Sequence, residues 1–296
     1  TSFVAPTSIR SILANTEQLI TSCDLSQLEH RDRLTHVYKN GGGISWGELN
    51  SRISSCTCNA QSATYRTALI PSLPTDIVAK LQSGGAIADV GCGQGAAACL
   101  FAETFPNARV HGCDYHSPSI DAAIEMARGK HLKNVSFVTG PSDDFASDAS
   151  FDVICFLDCF HDMAVATSAA KHAHRVLKPD GMLFLVEPFG AARDSVIEQL
   201  AIPTVSYLSA VSCHVCLPCA CCDDGDALGT MCPTETFRHI FVDEAGFESL
   251  EAIECQLNLV GFRLLVASKL PSVAKQAAAS WQSADRNALS HQDALK

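Results

Sequence analysis

Short apolar runs alternate with segments of helical periodicity through the central part of the chain. In the run over residues 151–157 nearly every position is apolar, which is typical of a parallel strand buried on both faces. The pattern predicts strands over residues 86–90, 109–114, 135–139, 151–157 and 182–186, and helices over residues 75–81, 96–105, 117–128 and 164–177. This alternation predicts an α/β fold with a doubly wound, mostly parallel sheet.

Two further predicted strands, residues 247–257 and 260–268, close the domain. Only Asn258-Leu259 separates them, and so tight a connection favours an antiparallel pair. The sequence Lys178-Pro-Asp-Gly181 is a stop-and-turn signal after the preceding helix. We therefore expect a seven-stranded sheet whose last strand is antiparallel, in contrast to a dinucleotide domain that continues with parallel crossovers.

The periodicity divides the chain into three parts. Residues 1–84 form a helical accessory or lid region, with candidate helices over 9–20 and 25–38. Residues 85–270 form the main domain, and residues 190–240 interrupt it as an insertion on the substrate side. The tail, residues 271–296, is rich in Ala, Ser, Gln and Asp, and we expect it to be weakly helical at best and to include disorder.

Composition narrows the functional classes. The 296 residues carry a formal net charge of -11 and no basic run, which argues against a nucleic-acid surface. No apolar stretch approaches the roughly 20 residues that span a bilayer, and no secretory signal is visible. Many of the 15 cysteines lie inside apolar runs, where they act as small buried hydrophobes. We expect a reduced, cytoplasmic protein.

Three glycines follow the first strand, in the sequence Gly91-Cys-Gly-Gln-Gly95, and a helix-compatible segment begins at Ala96. Without Cβ atoms, glycines let the backbone turn sharply and approach a ligand closely. The following helix would point its first N–H groups at an occupant of the loop. An acid about 20 residues farther on, Asp114, can accept hydrogen bonds from ribose hydroxyls. The pattern predicts a nucleotide-type loop in a β-α-β unit.

Two classes of cofactor compete for this loop. Gly91-x-Gly93-x-x-Ala96 satisfies the relaxed dinucleotide fingerprint, which keeps a nicotinamide or flavin oxidoreductase open. Asp89, however, lies two residues before the first glycine. A carboxylate there is unfavourable beside a pyrophosphate but suits a cationic sulfonium and amine.

The sequence Asp89-x-Gly-x-Gly-x-Gly95 resembles motif I of the class I S-adenosylmethionine methyltransferases. Residues 114–119, 158–163, 177–181 and 186–189 further resemble a regulator-like subgroup of that family, whose members usually carry an N-terminal winged-helix segment. The resemblance covers about residues 40–268, and the first forty residues show no complete winged helix. It implies a Rossmann-like methyltransferase fold, with S-adenosylmethionine as cofactor and S-adenosylhomocysteine as product.

By position, the resemblance implies that Asp89, Gly91 and Gly93 line the methionine end of the cofactor. Cys92 and Gly95 complete the same loop.

The resemblance also implies contacts farther along the cofactor. Asp114 would hold the ribose hydroxyls, and Tyr115 would pack near the adenine. Ser142 and Asp143 would meet the adenine amino group. Asp158 would face the methionine amine.

Acidic residues recur at the predicted carboxyl ends of strands, where open α/β sheets bind ligands. They are Asp89, Asp114, Asp143, Asp158 and Glu187. Any one of them could instead be a helix cap or a solvated loop residue, but their recurrence favours a shared site.

Methyl transfer needs alignment, exclusion of water and, for a hydroxyl or protonated amine, a base. His161 is the first candidate base, because it follows Asp158 by three residues and histidine titrates near neutrality. Its alternative is a helix-cap or packing role. Glu187 is the second candidate, with a substrate-orienting or structural carboxylate as the alternative.

Four aromatic residues could form the acceptor pocket: Trp46, Tyr65, Phe189 and Tyr207. Plain packing is the alternative for each of them.

A cysteine-dense segment lies in the insertion. Cys213, Cys216 and Cys219 at three-residue spacing, with His214, Cys221 and Cys222, contain enough ligands for tetrahedral zinc. The second cysteine pair of a zinc ribbon is missing, so we predict no metal there and a packed, partly reactive loop over the substrate pocket.

These observations predict a methyltransferase that acts on a small-molecule acceptor, at oxygen or nitrogen. The expected partners include neither nucleic acid nor a membrane, and the oligomeric state stays open, with a homodimer as one option. A regulator or interaction protein that binds S-adenosylmethionine with little or no catalysis is the alternative from another functional class. Protein methylation is a third option.

Overall fold

The computed structural model describes residues 31–49, 53, 58, 61–62, 65–147, 150–188, 203–253 and 262–279. The first candidate helix, the Asn258-Leu259 connection and Phe189 lie outside these residues. No helix within the described ranges has both the length and the apolar character needed to cross a membrane.

A seven-stranded sheet organises the described part of the chain. Its strand order is β3-β2-β1-β4-β5-β7-β6. The first five strands pair in parallel, and β7 pairs antiparallel with both β5 and β6. The strands are β1 (Ala86–Val90), β2 (Arg109–Asp114), β3 (Val135–Thr139), β4 (Phe151–Leu157), β5 (Leu177–Pro188), β6 (Ser249–Ile253) and β7 (Phe262–Ser268). The predicted fold class and the reversed final strand are confirmed.

Helices cover both faces of the sheet, because alternate side chains of the buried strands point to opposite sides. Ile87 of β1 belongs to the core on one face, whereas Ala88 belongs to the core on the other. The helices are residues 31–40, Thr75–Gln82, Ala96–Thr104, Ser117–Gly129, Ala166–Val176, Pro203–Val211, Leu217–Ala220, Thr234–Arg238 and residues 271–279. Helical turns of other pitch include Tyr65–Leu69, Ser212–Cys216 and His239–Glu244.

The accessory residues pack against the insertion that follows β5. Ile44 N donates to Pro218 O at 2.9 Å, and the Tyr38 hydroxyl donates to Cys213 O at 2.6 Å. Ile53 packs with Val215 in a small separate core. This contact brings two segments that are far apart in sequence over the same end of the sheet.

Three local predictions are wrong. The predicted turn at residues 178–181 belongs to β5, which begins at Leu177 and pairs there with Phe151 across a register shift. The predicted loop around Cys213 to Cys222 is mostly helical. The beginning of the tail, residues 271–279, is an ordered helix, because small side chains at helical spacing (Ala274, Ala277 and Ala278) pack into the main core.

Candidate functional site

A cavity of about 330 Å³ opens at the carboxyl ends of β1, β2 and β4. The parallel strands bring these ends to one edge of the sheet, where doubly wound folds bind ligands. The accessory residues and the insertion cover the cavity from the other side. It is lined by residues that include Trp46, Cys58, Gln61, Tyr65, Asp89, Gly91, Cys92, Gly93, Asp114, Tyr115, Ser142, Asp158, Asp162, Met163, Cys219 and Cys222.

The glycine loop follows β1 and forms one wall. Gly91, Gly93 and Gly95 have φ angles of 73°, 52° and 79°, which lie in the left-handed region that favours glycine. A Cβ on Gly91 would lie 2.7 Å from Cys159 Sγ, and one on Gly95 would lie 2.7 Å from Ala123 Cβ. The loop can therefore pass close both to the cavity and to the helix behind it. Gly95 does not line the cavity itself.

Asp89 is a buried carboxylate with an unpaired oxygen. Its side chain lines the cavity, it is 1% exposed, and Oδ2 has no hydrogen-bond partner among the described residues. Burial raises the pKa of Asp89 to about 7, and the nearby Asp114 charge adds to the shift. Because a buried carboxylate costs free energy unless it is paired, this position favours a cationic ligand.

Asp114 ends β2 and holds the loop in place. Its Oδ2 accepts from Gly93 N and its Oδ1 from His116 N, both at 2.9 Å. Burial raises the pKa of this carboxyl too. Each oxygen keeps a further lone pair, so the side chain can accept hydrogen bonds from ligand hydroxyls.

The predicted adenine contacts divide into two groups. Tyr115, which is 54% exposed, and Ser142 both lie at the cavity. Asp143 is not among the residues that line it.

Asp158 follows β4 in a strained conformation. Its φ angle is 57°, which is uncommon for a residue with a side chain. The backbone N–H donates to Val186 O at 2.7 Å, and Gln61 Nε2 donates to the carboxylate Oδ2. Burial raises the pKa of Asp158 to about 7, in part offset by His161. Strain of this kind is often found where a side chain must reach a ligand.

His161 and Glu187 meet immediately behind this wall. His161 Nδ1–H donates to Glu187 Oε2, and Nε2 lies 3.1 Å from Asp162 Oδ1. Burial by itself would lower the pKa of His161, but the Asp162 and Glu187 carboxylates hold it well above its ordinary value. His161 is 3% exposed and Glu187 is fully buried, and neither lines the cavity.

Glu187 also fixes the loop that carries His161. Its Oε1 accepts from Phe160 N at 2.9 Å and from Cys159 N at 3.3 Å. The structure therefore supports a positioning role for this carboxylate.

The aromatic candidates have different positions. Trp46 and Tyr65 line the cavity, and the Tyr65 hydroxyl is buried with no hydrogen-bond partner among the described residues. Tyr207 does not line the cavity, and Phe189 is outside the described residues.

The cysteine-rich segment does not form the zinc set that the sequence offers as an alternative. Within the part of the chain that the structure describes, no three ligands drawn from residues 213–222 lie together. Cys219 and Cys222 face the cavity instead, and burial raises the pKa of both thiols. These raised values oppose the partly reactive cysteines that we predicted.

Sequence reasoning missed several cavity residues. Asp162 is adjacent to His161 and could have been included on that ground. Met163 follows Asp162 in the same turn. Cys219 belongs to the cysteine-rich segment that was predicted to lie over the substrate pocket, although it was not singled out as a site residue. Cys58 and Gln61 carry no such signal, because only the packing of the accessory residues brings them to the cavity.

The cavity wall is acidic. Its described lining residues include no Lys or Arg but contain five carboxylates: Asp89, Asp114, Asp158, Asp162 and Asp223. Such a wall favours ligands of positive or zero net charge over ligands that are anionic overall.

Comparisons with known proteins identify the family of the chain. The family model described as "Methyltransferase domain" matches residues 81–231. A demethylmenaquinone methyltransferase of Lactobacillus johnsonii is 29% identical over 111 residues, which are 36% of this chain and 46% of the relative. The chain thus aligns with less than half the length of this curated relative.

Solved structures show the same fold. An O-methyltransferase family protein from Burkholderia thailandensis has a TM-score of 0.60 at 17% identity, over 85% of this chain and 71% of that one. A mitomycin 7-O-methyltransferase has a TM-score of 0.59 at 15% identity, over 90% and 74% of the two chains.

Proposed function

Since the chain belongs to the methyltransferase-domain family, we propose that it binds S-adenosylmethionine and transfers the methyl group to an oxygen or nitrogen atom of a small-molecule acceptor. The observation that carries this proposal is the unpaired, buried Asp89 carboxylate oxygen beside the glycine loop. A dinucleotide pyrophosphate would place further negative charge there, whereas the methionine ammonium would neutralise it.

The cofactor end of the cavity also has groups that suit the other parts of S-adenosylmethionine. In this proposal Asp114 accepts from the ribose hydroxyls, the backbone from Gly91 to Gly95 contacts the methionine portion, and Tyr115 and Ser142 border the adenine. When bound, S-adenosylmethionine supplies an electrophilic methyl group on a good leaving group, so the protein has mainly to align the acceptor and exclude water.

The acceptor end is proposed to lie between Asp158, Asp162 and Tyr65. This reassigns Asp158 from the methionine amine, the contact that the resemblance implies, because the proposal pairs the methionine ammonium with Asp89. The Tyr65 hydroxyl is available to orient the acceptor, because it has no described protein partner. The absence of Lys and Arg from the described lining supports a neutral or cationic acceptor.

We retain His161 and Glu187 as the residues that support activation of the acceptor. Their geometry favours action through Asp162, which lines the cavity and lies 3.1 Å from His161 Nε2. Direct contact with the acceptor is less consistent with the burial of both side chains.

We propose that the accessory residues serve as a lid for the domain. Trp46, Cys58, Gln61 and Tyr65 supply part of the cavity wall, and closing this side would exclude water from the methyl group.

The twelve described cysteines are all free, which supports a reducing compartment such as the cytoplasm.

Calorimetric titration with S-adenosylmethionine, S-adenosylhomocysteine and NADH tests the proposal. We expect micromolar binding of the first two and no binding of NADH. A panel of phenols and amines then tests for methylated product. Binding of NADH without the sulfonium compound would refute the proposal, whereas cofactor binding without product across the panel would favour the regulatory alternative.

A further inference from the structure

Three potential ligand side chains of different chemistry converge behind the acceptor end of the cavity. His161, Asp162 and Cys216 each offer one donor atom, and these atoms all lie within 4.8 Å of one another. Two come from the turn after β4, and the third comes from the helical insertion. From this juxtaposition we propose that the three residues bind one divalent transition-metal ion of the Zn²⁺ type.

The separation of two of the three donors, His161 and Asp162, is close to that of a metal site. Zinc bonds of about 2.0 Å to nitrogen or oxygen and about 2.3 Å to sulfur give tetrahedral donor separations of roughly 3.3–3.6 Å. His161 Nε2 and Asp162 Oδ1 are 3.1 Å apart. An ion would need only a small increase in this separation, and Cys216 Sγ, which lies within 4.8 Å of both donor atoms, would complete the site by moving toward it.

His161 Nε2 and Asp162 Oδ1 are close, but their contact does not have the alignment of a hydrogen bond. Asp162 Oδ1 is buried and has no hydrogen-bond partner of acceptable geometry among the described residues, although His161 Nε2 is close. An unsatisfied buried oxygen costs free energy. A cation between the two donors would satisfy both of them.

The surroundings orient His161 as they do in known metal sites. A metal-bound imidazole usually donates its other N–H to a carboxylate, which fixes the ring and its tautomer. Glu187 accepts from His161 Nδ1, and the backbone N–H groups of Phe160 and Cys159 hold this carboxylate. His161 Nε2 is thereby directed toward Asp162 and Cys216.

The donor set selects the class of metal. A thiolate with an imidazole suits Zn²⁺ or Co²⁺ and is a poor set for Mg²⁺ and Ca²⁺, which prefer oxygen ligands. Three protein ligands leave one position of a tetrahedral ion for water or substrate. Because Asp162 also lines the cavity, the proposed ion would lie directly behind the acceptor end.

Titration of the chelator-treated full chain with Co²⁺ tests the site. We expect one equivalent to bind, with a thiolate-to-cobalt charge-transfer absorption, and Zn²⁺ to displace it. In Cys216→Ser this absorption should disappear and the affinity should fall at least tenfold. Cys213→Ser is the matched control: Cys213 lies in the same helical segment but is exposed, so this variant should behave as wild type.

Asp162→Asn provides a second variant, because Cys216 is buried and its substitution could impair folding. It should weaken Co²⁺ binding while circular dichroism stays unchanged. The site is refuted if the wild-type chain binds no stoichiometric Co²⁺, or if Cys216→Ser and Asp162→Asn both bind as the wild type does.

The inference goes beyond the proposed function and can fail independently of it. Wild-type protein that binds S-adenosylmethionine but no Co²⁺ would refute the metal site alone. Co²⁺ binding without cofactor binding would refute the proposed function alone.

Discussion

The two ends of the cavity are built in different ways. The cofactor end comes largely from one continuous β-α-β unit, in which β1, the glycine loop and the end of β2 lie within thirty residues. The acceptor end combines the accessory residues around Gln61, the turn after β4 and the insertion around Cys219. The first end depends on local geometry, whereas the second depends on how distant segments pack.

The carboxylates at the two ends of the cavity also differ in their hydrogen-bond partners. At the cofactor end Asp89 keeps a buried oxygen without a partner. At the acceptor end Asp158 accepts from Gln61, and Glu187 accepts from His161 and the backbone. Asp162 Oδ1 there also lacks a hydrogen bond, but it lies 3.1 Å from His161 Nε2. The difference suggests that the cofactor end requires a cation from the ligand, while the acceptor end is partly neutralised by the protein.

The largest expected effect comes from Asp89→Asn. Removing one member of a buried charge pair costs about 3 kcal/mol, so affinity for S-adenosylmethionine should fall roughly 100-fold. The unliganded protein should melt at the same or a higher temperature, because an unpaired buried carboxylate is removed. Calorimetry and thermal denaturation measure the two quantities.

The exposed Asp121 supplies the control, and Asp121→Asn should change neither quantity. Unchanged affinity in Asp89→Asn would mean that the cofactor end does not depend on this carboxylate, and the contrast between the two ends would fail.

The next largest effect is expected from Gly95→Ala. The left-handed φ of 79° disfavours a side chain, and the new Cβ would meet Ala123 Cβ at 2.7 Å. Together these terms should destabilise the protein by about 2 kcal/mol, as measured by chemical denaturation.

Gly129→Ala is the matched substitution, because its φ is not left-handed and a Cβ there meets nothing within 4 Å. It should be neutral or stabilising, since alanine favours the helix. Equal loss of stability in both variants would show that the loop geometry imposes no special requirement.

The contrast in construction explains what the sequence could predict. The bounds of β1, β2, β3 and β4 match the prediction, because short segments that carry apolar residues between turn signals are local features. Asp89 and Asp114 could be predicted as residues of the cavity for the same reason, since their spacing from the glycines places them at the ends of β1 and β2.

The acceptor end had no comparable local signal. Gln61 reaches Asp158 only because the accessory residues pack across the sheet, and Cys216 approaches His161 only through the insertion. Tyr207 and Asp143 were chosen by residue type and position, but the fold keeps both out of the cavity lining. Contacts across such distances depend on tertiary packing, which periodicity does not encode.

A smaller effect is expected from pH. Asp89 has a pKa of about 7 in the unliganded protein, and a bound ammonium group favours its charged form. Below pH 7 a proton must leave Asp89 before the ligand binds, so affinity should rise roughly tenfold from pH 6 to pH 8 and then level off.

Calorimetry in buffers of different ionisation enthalpy should detect the released proton at pH 6. Asp89→Asn should lack most of this pH dependence. If the variant retained the full dependence, another group would be responsible, and the electrostatic difference between the two ends would need a different origin.

The smallest effect, from Tyr65→Phe, tests whether the acceptor end is functionally separate. The Tyr65 hydroxyl has no described protein partner, so its removal should leave the melting temperature unchanged. Loss of one hydrogen bond to the acceptor costs about 1 kcal/mol, which predicts a roughly fivefold lower kcat/KM with an acceptor from the panel.

Affinity of this variant for S-adenosylmethionine should stay within about twofold, since the hydroxyl is assigned to the acceptor. Tyr38→Phe removes a hydroxyl outside the cavity together with its hydrogen bond to Cys213 O, and so shows the effect of a hydrogen bond lost away from the acceptor. A loss of cofactor affinity in Tyr65→Phe that equals the loss in kcat/KM would place this hydroxyl at the cofactor end and would contradict the division of the cavity.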